Sequence, residues 1–399
     1  MAKKVLVAGL NVVVQQSSQT WYGPTPHWKI LELFYKSLQS CQFGAIQVDR
    51  RMGRSVCDYA LDRSLDIVPL NEGPYARIGR LRETPRIYSR LLRTVAESDY
   101  VYIRFPSWVG LTAWRCARWL GKPYWISVHG DWERILSTYV NGAETLSERI
   151  FYQLSRMHAA NALKNAIAHA RSAFFVGYTL RDRLLQDGTP SIVYHDATHT
   201  AAEVWSPRRT CTQQKLTLLF VGELSKAKGV DVLMRAAEIL ARKGYQLRLV
   251  FVGLGPEKDT LQRQKIAGVE IELKGWVAQG QAFDQLFLNA DALVLPSLTE
   301  GVPRVVVEAM VRATPVIATT VGDIPEMLGN GRRGWLVSPS NSDSLVKAVE
   351  ELAGDARLRI AKTEDAIEYA RMHDKTYWTQ KIRGALEQMD AGLARSGIC

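Results

Sequence analysis

Two glutamates with seven residues between them carry the most informative chemistry in this sequence. They lie in Asp291-Ala-Leu-Val-Leu-Pro-Ser-Leu-Thr-Glu300-Gly-Val-Pro303-Arg-Val-Val-Val-Glu308. An apolar strand ends near Pro296, a loop carries Glu300 and Gly301, and Pro303 stands where a helix starts, a place where its missing amide costs nothing. The unpaired amides and positive dipole end of such a start suit a phosphate. Glu308 follows among Val305, Val306, Val307, Ala309, Met310 and Val311. A carboxylate on so apolar a helix needs hydrogen-bonding partners. Sugar or ribose hydroxyls would serve; the plainer alternative is a Glu on the one wet face of a core helix. A retaining glycosidase pair stands about 5–5.5 Å apart, whereas these two, on one helix, would be ~12 Å apart and about 80° around the axis. Two separate hydroxyl contacts along one extended ligand fit better.

A second segment, Phe220-Val-Gly222-Glu-Leu-Ser-Lys226-Ala-Lys228-Gly229, reads as a strand, a glycine turn and two lysines before a helix. Lysines at a strand end can neutralise a diphosphate, although loop lysines are commonly only solvated. Gly253-Leu-Gly255-Pro256 also follows a strand, but Lys258 occupies the third glycine position of the dinucleotide fingerprint. The first strand, ending Gly9-Leu-Asn11, lacks that fingerprint too, so an NAD or FAD enzyme is disfavoured. A Walker A loop is absent. Ser127-Val-His129-Gly130-Asp131 closes a strand in the first half. A histidine there can donate to a ligand hydroxyl; the alternative is a loop histidine held by Asp131.

These residues need strand ends to position them. Leu216–Val221, Leu247–Val252, Val269–Leu273, Ala292–Leu295 and Pro315–Ala318 read as short apolar strands. Helical patterns lie between them, such as Val230–Lys243, stopped by Gly244. Apolar strands alternating with helices predict a parallel sheet covered on both faces, an α/β fold with ligands at the strand ends. The first half alternates less cleanly, with strands expected at Lys4–Val7, Tyr100–Ile103, Tyr124–Val128 and Ala173–Val176 and one or two helices over Ala143–Arg171. The polar, aperiodic stretch Trp205–Gln214 marks a boundary, giving domains 1–208 and 209–375, with a last helix in 376–399.

The 399 residues suffice for two or three domains. Five scattered cysteines without a Cys-x-x-Cys indicate neither a disulfide framework nor a zinc site, which fits a reducing, cytoplasmic compartment. The start Met-Ala-Lys-Lys before Val5–Gly9 reads as a first buried strand rather than a leader, and no apolar run is long enough to span a membrane. Residues 1–210 hold 27 Lys+Arg against 17 Asp+Glu, nearly all of the chain's net +11. The first half should therefore meet something anionic. Arg77, Arg80, Arg82, Arg86, Arg90 and Arg93 concentrate this charge. Arg86, Arg90 and Arg93 share one helical face and Ile87, Leu91 and Val95 another, so an anionic membrane or a lipid diphosphate is a candidate partner and a solvated face the alternative. No nucleic-acid module accompanies the charge.

The block from about 216 to 352 resembles the donor domain of glycosyltransferase family 4, the glycosyl transferases group 1. The resemblance is carried by Val221-Gly222-x-Leu224 with Lys228-Gly229, by Glu300-Gly301 with Glu308-Ala309-Met310, by Pro315–Ala318, by Val321-Gly322-x-Ile-Pro325-Glu326 and by Gly334–Val337. The first half resembles the acceptor domain through His129-Gly130. The resemblance implies a GT-B fold, two Rossmann-like domains with parallel sheets facing across a cleft. It also implies a retaining, metal-independent hexosyltransferase using a nucleotide sugar, UDP- or GDP-linked, with a glycan or polyprenyl-diphosphate-linked acceptor, in bacterial surface polysaccharide or glycolipid synthesis at the inner membrane face.

Carried over by residue, the resemblance gives Lys228 the diphosphate, with Gly222 and Lys226 nearby, and Glu308 the nucleotide ribose. Glu300 and the amides of Gly301 and Val302 meet the donor sugar and its phosphate, and His129 reaches the sugar from the other domain. The last helix would cross back onto the first domain. Three positions depart from the family pattern. Glu223 stands where an Arg usually meets the diphosphate, and Lys226 is a candidate substitute. Asp323 replaces the second glycine of a pair. The glycine turn after the first strand is missing, with Trp21–Pro24 a candidate replacement. A GT-B epimerase or hydrolase, and a non-catalytic GT-B binding protein, remain alternatives.

Overall fold

A computed structural model describes residues 4–16, 20–23, 41–47, 59–60, 66–69, 79–141, 145–185, 188–195, 197–207, 210–211 and 215–389. The chain divides into two compact units, Met1–Thr198 with Tyr377–Cys399, and His199–Thr376.

The second unit is built on β10 (Lys215–Val221), β11 (Gln246–Val252), β12 (Val269–Gly275), β13 (Ala292–Leu295), β14 (Val316–Thr319) and β15 (Trp335–Val337), which pair in parallel in the order β12-β11-β10-β13-β14-β15. Successive strand residues point to opposite faces, so the strands feed two apolar layers, except edge strand β12, which alternates Val269, Ile271 and Leu273 with Glu270, Glu272 and Lys274. Leu218, Phe220, Leu249, Phe251, Val294 and Ile317 pack on one side with helices Val230–Arg242 and Ser342–Gly354. Leu219, Val250, Leu293, Leu295 and Ala318 pack on the other with Phe287 of helix Gln281–Leu288, Met310 of helix Arg304–Val311 and Ile367 of helix Ala356–Met372. This is why the strands read as unbroken apolar runs. The direction of strand addition reverses between β10 and β13, and open α/β sheets place ligands beyond the strand ends at such a point.

The first unit holds β1 (Val5–Gln16), β2 (Thr20–Gly23), β3 (Cys41–Gln47), β4 (Tyr59–Ala60), β5 (Asp66–Pro69), β6 (Tyr100–Phe105), β7 (Tyr124–Val128), β8 (Ser172–Val176) and β9 (Ser191–Tyr194). β5, β3, β1, β6, β7, β8 and β9 run in parallel, again with a reversal beside β1, and β2 and β4 add antiparallel pairing at the end of β1. The helix Lys375–Met389 contributes buried Trp378, Ile382 and Leu386, spaced as one helical face, and Trp378 lies 5.2 Å from the His195 ring.

Several local expectations change. The first strand runs on to Gln16 through two register shifts where a glycine turn was sought. Trp21–Gly23 therefore form a paired strand rather than a replacement loop, and Pro24 lies outside the described residues. The helical stretch over 143–171 is one helix, Leu146–Ala168, capped by Thr145, whose Oγ1 accepts from the Glu148 amide at 3.2 Å. A separate helix, Trp132–Asn141, precedes it.

One buried group ties stability to pH. His199 is 9% exposed and its Nε2–H donates to the Ala370 carbonyl at 2.8 Å. Burial pushes its pKa below the ordinary value of 6.5, outweighing the raising effects of that hydrogen bond, Asp374 and Glu203. The unfolded chain therefore binds this proton more readily than the native one. The contribution is complete above about pH 6.5 and is lost as pH falls below it. Thermal unfolding from pH 7.5 to 5 should show a falling melting temperature, and His199→Gln should flatten that slope below pH 6.5. An unchanged slope would assign it to other groups.

Candidate functional site

The loops leaving β10 and β13 meet at the switch point. After β10 the chain turns through Lys226–Lys228 and enters helix Val230–Arg242 at Gly229, whose φ is +69°. A Cβ there would lie 2.0 Å from the Pro296 carbonyl oxygen, so only glycine lets the turn sit this close to the β13 loop. The Leu298 amide donates to the Ala227 carbonyl at 2.9 Å and closes the junction. Across it, Lys228 Nζ donates to Glu300 Oε1 at 2.7 Å, and Ser297 Oγ donates to the same oxygen at 2.7 Å. The Glu300 side chain is 9% exposed and that of Lys228 26%. A nearly buried carboxylate thus faces a cation that still reaches solvent. An ammonium has three donors, so Lys228 can keep Glu300 and also donate to an oxygen of an anionic ligand.

The end of β14 clamps the same loop from its other side. Thr319 Oγ1 donates to the Ser297 carbonyl at 2.6 Å, and the Asp323 amide to the Gly301 carbonyl at 2.9 Å. Gly322 has φ +56°, and a Cβ there would stand 2.6 Å from the Glu300 carbonyl oxygen. Asp323 has φ −86°, a region open to any residue, so the missing second glycine carries no backbone penalty. A Cβ on Gly301 would meet nothing within 4 Å, leaving room beside Glu300.

Helix Arg304–Val311 begins at Pro303, and Glu308 sits on it with Val306, Ala309, Met310 and Val311 buried. Glu300 lies in the preceding loop, so the two glutamates do not share a helix. Glu308 Oε1 accepts from Gln279 Nε2 at 2.9 Å, and Arg304 stands 3.7 Å away. Gly222 is half-buried at the end of β10, its amide donating to the Val252 carbonyl at 2.9 Å. Val302 is half-buried, and Lys226 and Glu223 are exposed, the latter accepting from Ser225 Oγ at 3.4 Å. Lys228 and Glu300 are therefore joined directly, with Gly222, Gly301 and Val302 on the loops that carry them, while Glu308 is held by a separate set of partners.

His129 belongs to the first unit, one residue beyond β7. Its Nδ1 stands 3.3 Å from Arg104 Nη2, and its Nε2 stands 2.8 Å from Ser127 Oγ and 3.1 Å from the Tyr194 hydroxyl. A guanidinium only donates, so Nδ1 accepts, and the neutral ring carries its proton on Nε2 toward Ser127 and Tyr194. Asp131 pairs with Arg183, which also reaches Glu133 at 3.3 Å. Ser297, Thr319, Gln279 and Arg304 around the glutamates, and Arg104 and Tyr194 around His129, escaped the sequence. Ser297 lay inside the informative segment, but Arg104 and Tyr194 are brought to His129 only by strand pairing.

Residues 203–373, less than half the chain, match the family model described as Glycosyl transferases group 1. All the donor-side motifs through Val337 lie in this segment. The family 4 label drawn from them is corrected by this match to the group 1 description. TuaC of Bacillus subtilis, assigned as a glycosyltransferase of teichuronic acid biosynthesis, is 28% identical over 268 residues. That alignment covers 66% of this chain and spans 64% of TuaC's length. Sucrose-phosphate synthase from Thermosynechococcus elongatus superposes with TM-score 0.71 at 14% identity, covering 98% of this chain and 100% of that structure. Anabaena HepE in complex with UDP-glucose superposes with TM-score 0.66 at 17% identity, covering 97% of this chain and 100% of that structure. The fold is GT-B, with two Rossmann-like parallel-sheet domains.

The Gly322 contact yields a direct test. Gly322→Ala should cost about 1–3 kcal/mol of stability, read as a lower melting temperature. Asp323→Ala at its ordinary φ should spare the backbone. Equal stability of wild type and Gly322→Ala would show that the Glu300 loop is not clamped as described.

Proposed function

We propose that the chain transfers a hexose from a nucleotide sugar to a glycan or lipid-linked acceptor in bacterial surface polysaccharide or glycolipid synthesis. The carrying observation is the Lys228–Glu300 pair at the strand switch point, beside the open space at Gly301. It lies in the segment that matches Glycosyl transferases group 1. HepE, of similar fold, has been seen with UDP-glucose, and a UDP-linked donor is the choice to test first.

In this reading, residues 209–375 bind the donor and 1–208 the acceptor. Lys228 holds the diphosphate, with Gly222 and Lys226 beside it. Glu308 takes the ribose hydroxyls through the carboxylate that Gln279 and Arg304 orient. Glu300 and the amides of Gly301 and Val302 meet the hexose and its phosphate. As the bond from the sugar to the diphosphate breaks, the nucleoside diphosphate leaves with the electron pair, and an oxocarbenium-like sugar is taken by an acceptor hydroxyl whose proton passes to the departing diphosphate oxygen. Lys228 and the helix start at Pro303 stabilise the departing charge. That electrostatic role supports metal-independent chemistry, and no side chain is assigned as covalent nucleophile. His129 contacts the sugar through Nε2–H, exchanging Ser127 or Tyr194 for a sugar oxygen. The stereochemistry is proposed as retaining. The arginines between Arg77 and Arg93 favour an anionic acceptor or membrane surface at the cytoplasmic face. Ile87, Leu91 and Val95 of that helix are buried in the core, so the segment acts through charge alone.

With its donor and acceptor, the enzyme should form a product whose anomeric proton coupling matches the donor's, and EDTA should leave the rate unchanged. Lys228→Ala should lower kcat by about 100-fold or more while the protein stays folded by circular dichroism. An inverted product would overturn retention, and near-normal turnover by Lys228→Ala would overturn the diphosphate assignment. Isomer or free sugar formed without acceptor would replace transfer with epimerisation or hydrolysis.

A further inference from the structure

The helix Leu146–Ala168 buries Ala159, Ala162, Leu163, Ala166 and Ile167 against the first unit's core. A helix with one face in the core ordinarily turns polar residues outward. This one does not. Leu146, Ile150, Leu154 and Met157 recur at helical spacing on the side away from the core, and Phe151 borders them. All five are between 52% and 75% exposed. Single exposed apolar residues are ordinary; a continuous row of five marks an interaction surface.

The neighbouring helix Trp108–Trp119 extends this surface. Arg115 donates to His158 Nε2, joining the two helices, and Trp119, one turn further along the same side, is the most exposed of the chain's described tryptophans. The charge around the row is one-sided. Residues 108–122 carry Arg115, Arg118 and Lys122 with no acid, and residues 145–171 carry Arg149, Arg156, Lys164 and Arg171 against Glu148 alone. Aliphatic side chains, a tryptophan and flanking arginines match the layering of an anionic bilayer surface, with acyl chains below and phosphates at the level of the cations. A second copy docked on the same face would bring these arginines against one another. No helix among the described residues is long and apolar enough to cross a membrane, so the contact would lie in the interface plane.

We infer that the Leu146–Met157 row is a membrane-docking face that seats the first unit on anionic lipid, with Trp119 at its edge. This differs from the arginines of Arg77–Arg93, whose helix has its apolar side in the core. It stands independently of the glycosyl-transfer proposal, since lipid binding is read without donor or acceptor.

The test is co-sedimentation of the full chain with vesicles of phosphatidylcholine alone and of phosphatidylcholine with phosphatidylglycerol. The wild type should bind the anionic vesicles and bind the neutral ones weakly. Ile150→Glu/Leu154→Glu should lower the partition coefficient by about tenfold or more, and Ile150→Ser/Leu154→Ser should lower it without adding negative charge. Both pairs replace exposed side chains, and unchanged melting temperatures would verify their folding. Three results would each overturn the inference: no binding of wild type to anionic vesicles, unaltered binding by both variants, or a wild-type dimer in sedimentation velocity that the variants abolish while vesicles are ignored.

Discussion

The structure around the candidate site depends on how closely the β10 and β13 loops approach. Those strands are neighbours, yet their outgoing chains leave toward opposite faces of the sheet. The gap between them closes because Gly229 has no Cβ to strike the Pro296 carbonyl. That closeness lets Lys228 reach Glu300, lets Leu298 donate to Ala227, and holds Ser297 where it can bind the glutamate. Gly322 applies the same steric rule from β14. A cation and a carboxylate are thereby brought together at a strand switch point by close backbone packing.

The donor-side unit was legible in the sequence for the same reason that it is rigid. Strands buried on both faces appear as apolar runs, and the glycines and prolines that end them mark the loops. Local patterning placed Lys228 and Glu300 in the loops after two strands and Glu308 on the helix that follows, where they are found. It could not show that Ser297 and Lys228 share one oxygen of Glu300, or that Gln279 holds Glu308, because those partners meet through the fold. The first unit was harder. β3, β5 and β9 escaped notice, and β1 continues to Gln16 and pairs with Trp21 and Tyr22, which the sequence offered as a replacement loop. Apart from Ser127, the partners of His129 lie 25 and 65 residues away and converge only through the parallel pairing of β6, β7, β8 and β9. The departure at Asp323 carries no backbone penalty because its φ is −86°, a fact no residue type reveals.

The two halves differ in how they carry charge. Lysine and arginine nearly balance aspartate and glutamate in the second half of the sequence, whereas the first half carries most of the excess lysine and arginine. Its helix Leu146–Ala168 also turns an apolar row to solvent. The proposed transfer would use both features, the Lys228–Glu300 pair of the second unit for the nucleotide sugar and the cationic, apolar face of the first for an anionic surface.

The central claim is that the β10–β13 junction binds a nucleoside diphosphate through Lys228. The most direct measurement is the thermal shift of wild type and Lys228→Ala with UDP, GDP and ADP, since a ligand that binds only the native state raises its stability by mass action. The account predicts that one of these nucleotides, UDP first among them, raises the wild-type melting temperature by several degrees and that Lys228→Ala loses the shift. No shift with any nucleotide at millimolar concentration, or an equal shift in the variant, would contradict it.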